Sequence, residues 1–314
     1  MNPSALLVVG QTALELGLIC SLTVLALFLS YSMLNVCDLS TDGCFTLGAA
    51  VGAMTAAAGH PLLSIPAAML AGMCSGFVTA LLQTKMGINS LLAGIIVNTG
   101  LYSVNIAVMS GAPNINLNKK DTIFTMVKGA LTGTALEGQQ NTVVAAAAVI
   151  LTVLLLTLFL STRLGLAIRA TGDNPDMVRS SSINPVFTTI VGLCAANALT
   201  ALSGCLMAQS QKQAEINIGS GMVTIALASL LIGATLMGRG SILFRAAGMV
   251  LGAFLFRLVY AVALQLDMPA FMLKLVSSVI VVLAISLPYL KEQWPMLRRR
   301  LAYRTAVSSG KGGT

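Results

Sequence analysis

Apolar runs of roughly twenty residues, almost free of charge, recur from one end of this chain to the other. That is the length a helix needs to cross a hydrocarbon core of about 30 Å. Only 9% of the 314 residues are charged, whereas soluble domains carry about 25%. A soluble globule is excluded, and the alternating, turn-punctuated pattern of a membrane β-barrel is absent. The chain reads as an all-α polytopic membrane protein.

Nine spans are expected, within a range of eight to ten: 11–34, 43–59, 61–82, 90–110, 142–161, 187–209, 220–238, 246–265 and 270–289. The second and seventh are short and broken. An odd number puts the two termini on opposite sides. Twelve of the eighteen Lys and Arg then share the side of the carboxyl terminus. The positive-inside bias makes that side cytoplasmic and the amino terminus external. The same bias accounts for the net charge of +8 without nucleic acid. Residues 1–290 form the transmembrane domain and 291–314 a basic cytoplasmic tail. The segment 111–141 is placed outside, with turns suggested by Pro113, Asn114, Asn116 and Asn118 and a short surface helix within Lys119–Gly129. Met1–Leu6 has neither a basic region nor a small-residue cleavage site, so no removable signal peptide is expected.

A polar island, Arg163–Pro185, interrupts the apolar pattern on the cytoplasmic side, within a loop taken as 162–186. Asp173 or Asn174 offers a side-chain oxygen for an N-cap, and Pro175 suits the first helical turn. Asn184-Pro185 stops the helix. A small capped helix on the surface of a membrane protein suits being pushed by a partner, and Asp173, Asn174, Pro175, Asp176 and Arg179 are the candidates for that contact.

Polar groups inside spans are costly and face a cavity or another helix. Asn98, Tyr102 and Asn105 fall on one helix face. Gln11 pairs with Glu15, and Asn197 with Thr200. Asp38 and Asp42, with Gly43, mark non-helical backbone at membrane depth, which is tolerated only inside protein or against water. Asp38, Asp42, Asn98, Tyr102, Asn105 and Asn197 either line a path for a polar solute or fix the bundle through hydrogen bonds; the residues alone leave both open. Arg257 lies mid-span with Glu15 or Asp267 as its possible counter-charge. Three small-xxx-small steps, Gly48–Gly52, Gly72–Gly76 and Gly248–Gly252, read as helix packing. The six cysteines lack metal-ligand spacing and read as small core residues; His60 is a lone residue at a helix edge. No cofactor or metal is expected. A phosphate loop, a metalloprotease helix and a nucleophile elbow are all missing, which argues against an enzyme and leaves no ATPase site of its own.

Four stretches in register resemble the permease subunits of ABC importers of the branched-chain amino acid and ribose (simple sugar) family. They are Asp38–Ala49, Gly111–Asn114, Leu164–Asn184, and Ala201–Gly204 followed by Leu230–Gly233. The pattern is nearest to an amino-acid-type branch, some of whose members are associated with aromatic amino acids. Ser182 stands where that family usually has glycine, Gly233-Ala234 where it has two glycines, and the sugar permeases' extra amino-terminal span is missing. The resemblance implies a bacterial plasma (inner) membrane subunit that carries a small-molecule solute among membrane lipid. Its implied partners are cytoplasmic ABC ATPase subunits gripping the island, an external solute-binding protein, and a second permease subunit, most simply a homodimer. The alternative is an ion-gradient-driven secondary transporter, with Glu15, Asp38 and Asp42 as a coupling site.

Overall fold

The computed structural model describes residues 3–131, 139–237 and 240–265, with short pieces between 272 and 286. The expected ninth span, 270–289, lies largely outside the described residues and the tail, 291–314, wholly so. The other eight expected spans are helices. α1 (Pro3–Leu27) continues as a π-helical stretch, Phe28–Met33. α2 (Thr41–Ala57), α3 (Ser64–Thr84) and α4 (Ser90–Val108) follow. Then come β1 (Asn114–Asn116), the short α5 (Ile123–Leu131) and α6 (Gln140–Ser161). The polar island holds α7 (Arg163–Asp173) and α8 (Pro175–Ser180). After it run α9 (Pro185–Gln211), β2 (Gln213–Glu215), α10 (Met222–Met237) and α11 (Ile242–Gln265). Among the described residues six helices are long and apolar enough to cross a membrane. The protein is a helical, multi-pass membrane protein.

Helix starts follow local chemistry. Asn89 caps α4 by accepting from the Leu91 N–H (2.9 Å), and Thr162 caps α7 by accepting from the Gly165 N–H (3.2 Å). Asn184 accepts from the Val186 N–H (3.0 Å), with Pro185 in the first turn of α9.

Two features depart from the sequence reading. The island contains two helices rather than one, because Thr162 caps a separate helix ahead of α8. The connections expected as turns also carry a short ladder within the all-α architecture: β1 and β2 pair antiparallel, Asn114 opposite Glu215 and Asn116 opposite Gln213. Leu117 N–H adds a bond to Lys212 O (2.8 Å). The asparagines read as turn formers therefore split, two into a strand and one, Asn116, also closing a turn on the Asn118 N–H (2.9 Å).

α9 is the axis of the bundle. Gly48 and Gly52 of α2 lie against Ala201 and Cys205, while Gly72 and Gly76 of α3 lie against Asn197 and Leu193. Gly204 returns the contact on Phe45. Gly248 and Gly252 of α11 meet Gly233 and Ser229 of α10. Small residues let these backbones approach, and in lipid that close packing replaces burial as the cohesive force. α3, α4 and α6 turn outward the apolar side chains Phe77, Leu92, Ile96, Leu151 and Leu158, the surface that hydrocarbon covers. Cys74 belongs to this outer surface, and Cys37 and Cys194 are half-buried, so only Cys20, Cys44 and Cys205 fill the interior as expected.

The glycine contacts yield a direct test. A methyl group at Gly48 meets the Ala201 backbone, whereas one at Gly100 of α4 meets nothing within 4 Å. Gly48→Ala should destabilise by about 1–3 kcal/mol, and Gly100→Ala should be neutral or stabilise by up to about 1 kcal/mol. Both are read by detergent-titrated unfolding.

Candidate functional site

The short second and seventh segments are half-helices that meet. The Cys44 thiol donates to Asn197 O (3.3 Å), and Asn197 lies near the midpoint of α9. α2 therefore starts midway through the bundle, then follows α9 past Ala201 and Cys205 toward its Gln211 end. The chain reaches this level from the π-helical end of α1 by climbing through non-helical residues 35–40. α10 starts at the same level: residues 216–221 descend from β2 to Asp42, and the helix continues toward the π-helical end of α1, opposite in direction to α2. With 16 residues it is about 24 Å long.

Two amino-terminal helix ends thus face each other inside the bundle, each with unsatisfied N–H groups and partial positive charge. Two carboxylates answer them. Asp42 accepts from the Gly221 N–H (3.0 Å) and the Val223 N–H (2.8 Å) at the start of α10. Asp38 accepts from the Ser40 N–H (2.8 Å) at the start of α2. Its second oxygen accepts from Asn197 Nδ2 (2.8 Å).

A cavity of about 450 Å³ opens beside this junction. Asp42, Asn98, Tyr102 and Asn105 line it together, so four of the six candidate residues converge. Thr46 and Ser103 join them, with Asn217 and Ser220 from the descending segment. The sequence reading missed these additions; the only available signal was the Gly219-Ser-Gly221 break before α10. Tyr102 is 52% exposed, and Asn105 is buried with its Nδ2 donating to Gly43 O (3.1 Å).

Asp38 and Asn197 do not line this cavity. They are 2% and 1% exposed and bonded to each other behind the cavity wall. Burial in low dielectric demands such pairing of a carboxylate. Glu15 is engaged elsewhere too, accepting from Gln11 Nε2 (3.3 Å), Asn141 Nδ2 (3.3 Å) and the Thr142 hydroxyl (3.2 Å). Arg257 instead donates to Cys20 Sγ (2.9 Å) and lies over the Tyr260 ring; Asp267 is outside the described residues.

At the far end of α9 the island forms a second surface. Asn174, not Asp173, is the cap: its Oδ1 accepts from the Asp176 N–H (3.1 Å) and the Met177 N–H (3.0 Å). Asp173 ends α7, and Asp173, Asn174, Pro175, Asp176 and Arg179 are all exposed. Asp176 and Arg179 approach to 3.7 Å at the surface, a contact worth little in water. Val178 alone of α8 is buried, and Met177 beside it is 53% exposed, an apolar contact the sequence reading overlooked. Ser182 adopts φ +61°, the left-handed region, which accounts for the glycine usual there in the resembled family. The island rests on the π-helical end of α1: Gly172 packs on the Met33 and Leu34 backbone, and the Thr171 and Thr188 hydroxyls share a bond (2.8 Å).

Two substitutions test these assignments. Asn197→Ala should cost about 2–3 kcal/mol by stripping a donor from the buried Asp38, and a double-mutant cycle with Asp38→Ala should recover coupling of about 1 kcal/mol or more. Ser182→Gly should stabilise the island by about 1 kcal/mol through relief of the left-handed backbone, read as slower amide exchange in α8.

A family model described as the branched-chain amino acid transport system / permease component matches residues 11–285. The chain is 34% identical over 268 residues to a tyrosine transport system permease protein of Clostridioides difficile (strain R20291), covering 85% of this chain and 86% of the relative. It is 30% identical over 281 residues to an uncharacterized protein of Rickettsia prowazekii (strain Madrid E), covering 88% of this chain and 96% of the relative. No solved structure matches. With the family pattern spanning both half-helices, the cavity and the island, the chain belongs to the permease components of branched-chain amino acid transport systems.

Proposed function

We propose that this permease is the transmembrane subunit of a binding-protein-dependent ABC importer, and that α8 couples it to separate ATPase subunits. α8 carries the reading. Its Asn174 cap and Pro175 make it stiff, Val178 anchors it at 1% exposure, and Met177 stands outward between Asp176 and Arg179. An adaptable methionine flanked by charge suits a pocket on a moving partner. Force on α8 passes through α7 to the end of α1 and to the start of α9, the two elements that lead to Asp38 and Asn197.

The remaining arrangement follows from that coupling. The island faces the cytoplasm of a bacterial cell and the amino terminus lies outside. The β1–β2 ladder then lies on the external side, where a solute-binding protein docks. α4 crosses the bilayer with Thr99, Tyr102 and Ser103 exposed on its surface. Polar groups at that depth need water or protein against them, which favours a homodimer whose shared route includes the 98–105 face. The solute is a small polar molecule of the amino-acid class. The name of the Clostridioides difficile relative supports an aromatic amino acid. Of the three carboxylates that an ion-gradient alternative would use, Asp38 is buried and held by Asn197 and Glu15 accepts from three side chains, which leaves Asp42 alone facing the cavity and no paired coupling site.

Reconstitution with the ATPase and binding protein tests the reading. Replacing residues 175–182 by a Gly/Ser linker should abolish solute-stimulated ATP hydrolysis while membrane insertion persists. Met177→Asp should lower ATP-driven uptake at least about tenfold. Full uptake by the chain alone without ATP, or unchanged uptake in the linker variant, overturns it.

A further inference from the structure

The Asp42 cavity offers hydrogen-bond acceptors, and its described lining contains no Lys, Arg or His. Asp42 spends one acceptor site of each oxygen on a backbone N–H, and a carboxylate has capacity beyond that. Asn105 lines the same cavity at 1% exposure. Its Nδ2 is committed to Gly43 O, which fixes the orientation of the amide, and its Oδ1 has no partner among the described residues. A buried amide oxygen without a donor is costly, so the position calls for one to arrive.

The helix ends do not supply attraction for an anion. Each brings roughly half a positive charge, but Asp42 meets the end of α10 and Asp38 the end of α2. What an occupant meets is the Asp42 carboxylate among the amides and hydroxyls of Asn98, Tyr102, Ser103, Asn217 and Ser220, with the orphaned Asn105 oxygen buried in the wall beside them.

We infer that this cavity is a subsite for an ammonium group, bound through Asp42 and Asn105 Oδ1, and that it rejects anionic solutes. An ammonium has three donors and no acceptor, and every polar side chain on this wall is able to accept. A carboxylate has only acceptors and meets Asp42 as a like charge. The volume of about 450 Å³ holds more than an ammonium and falls within the usual range of roughly 300–1,000 Å³ for small-molecule sites. The inference deepens the transport reading and rests on the cavity lying along the solute's route.

The test uses the full chain in lipid nanodiscs carrying Ser103→Cys on the cavity wall, with labelling read at that residue by peptide mass spectrometry. Rates for a trimethylammonium-ethyl and a sulfonatoethyl methanethiosulfonate are each normalised to free cysteine. The cationic reagent should label at least about tenfold faster, and Asp42→Asn should erase most of that preference. Ethylammonium at tens of millimolar should slow labelling by neutral methyl methanethiosulfonate, while propionate and sodium should not. If Asp42→Asn does not assemble, Asn105→Leu takes its place and should lower the protection by ethylammonium at least about fivefold. Equal rates for the two charged reagents, or protection by propionate, overturns the inference; equal protection by sodium overturns it in favour of an inorganic cation. Equal labelling alongside intact ATP-driven uptake removes this inference alone. ATP-independent uptake with the charge preference intact removes only the importer reading.

Discussion

A helix that begins in the middle of a bilayer brings several backbone N–H groups to a place where water cannot pair them. In this protein that demand falls on two helices at once, and the two hydrogen bonds from Gly221 and Val223 to Asp42 are the main answer. The rest of the architecture is arranged around them. Residues 35–40 climb back into the bundle so that Asp42 can reach the level of α10, and Gly219 lets the descending chain lie directly on the Asp42 and Thr46 turn. Asp38 closes the matching end of α2 and is itself fixed by Asn197.

That last contact joins the junction to the rest of the bundle. α9 is one uninterrupted helix from the island to Gln211. Its Ser203 hydroxyl holds Ile19 O of α1 (2.7 Å), and its buried Gln209 donates to the Ser64 hydroxyl of α3 and accepts from the Ile123 N–H of α5 (3.0 Å). The Thr171–Thr188 contact and the Asn197–Asp38 contact thus lie on one continuous helix. Small residues bring the helices together, but these polar bonds choose which faces meet.

The sequence made the helices easy to find and their faces hard to assign. Length and the absence of charge mark the spans, and the polar stretch around Asp38 announces where the second helix starts, although Asp42 and Gly43, expected in non-helical backbone, already belong to a continuous α2. The cap of α8 is legible only to within Asp173 and Asn174, because neighbouring Asp and Asn are equally good caps and only the backbone decides. Helices that are apolar all round give no moment to orient them, so spacing puts Asn98, Tyr102 and Asn105 on one face but does not say what that face meets. Pairings such as Asp38 with Asn197, 159 residues apart, and β1 with β2 have no local signature at all. Asp38 and Asp42 look alike in sequence; one is sealed behind a wall and the other forms part of it.

Asp42 and its helix-end partners are separated by 179 residues or more. A chain made from its amino end places the carboxylate in the bundle long before Gly221 and Val223 exist. Through that interval α2 has its own start secured by Asp38 and Ser40, but Asp42 waits. The cavity wall is therefore finished only when the seventh segment arrives, and its completion is among the last events in the making of the bundle.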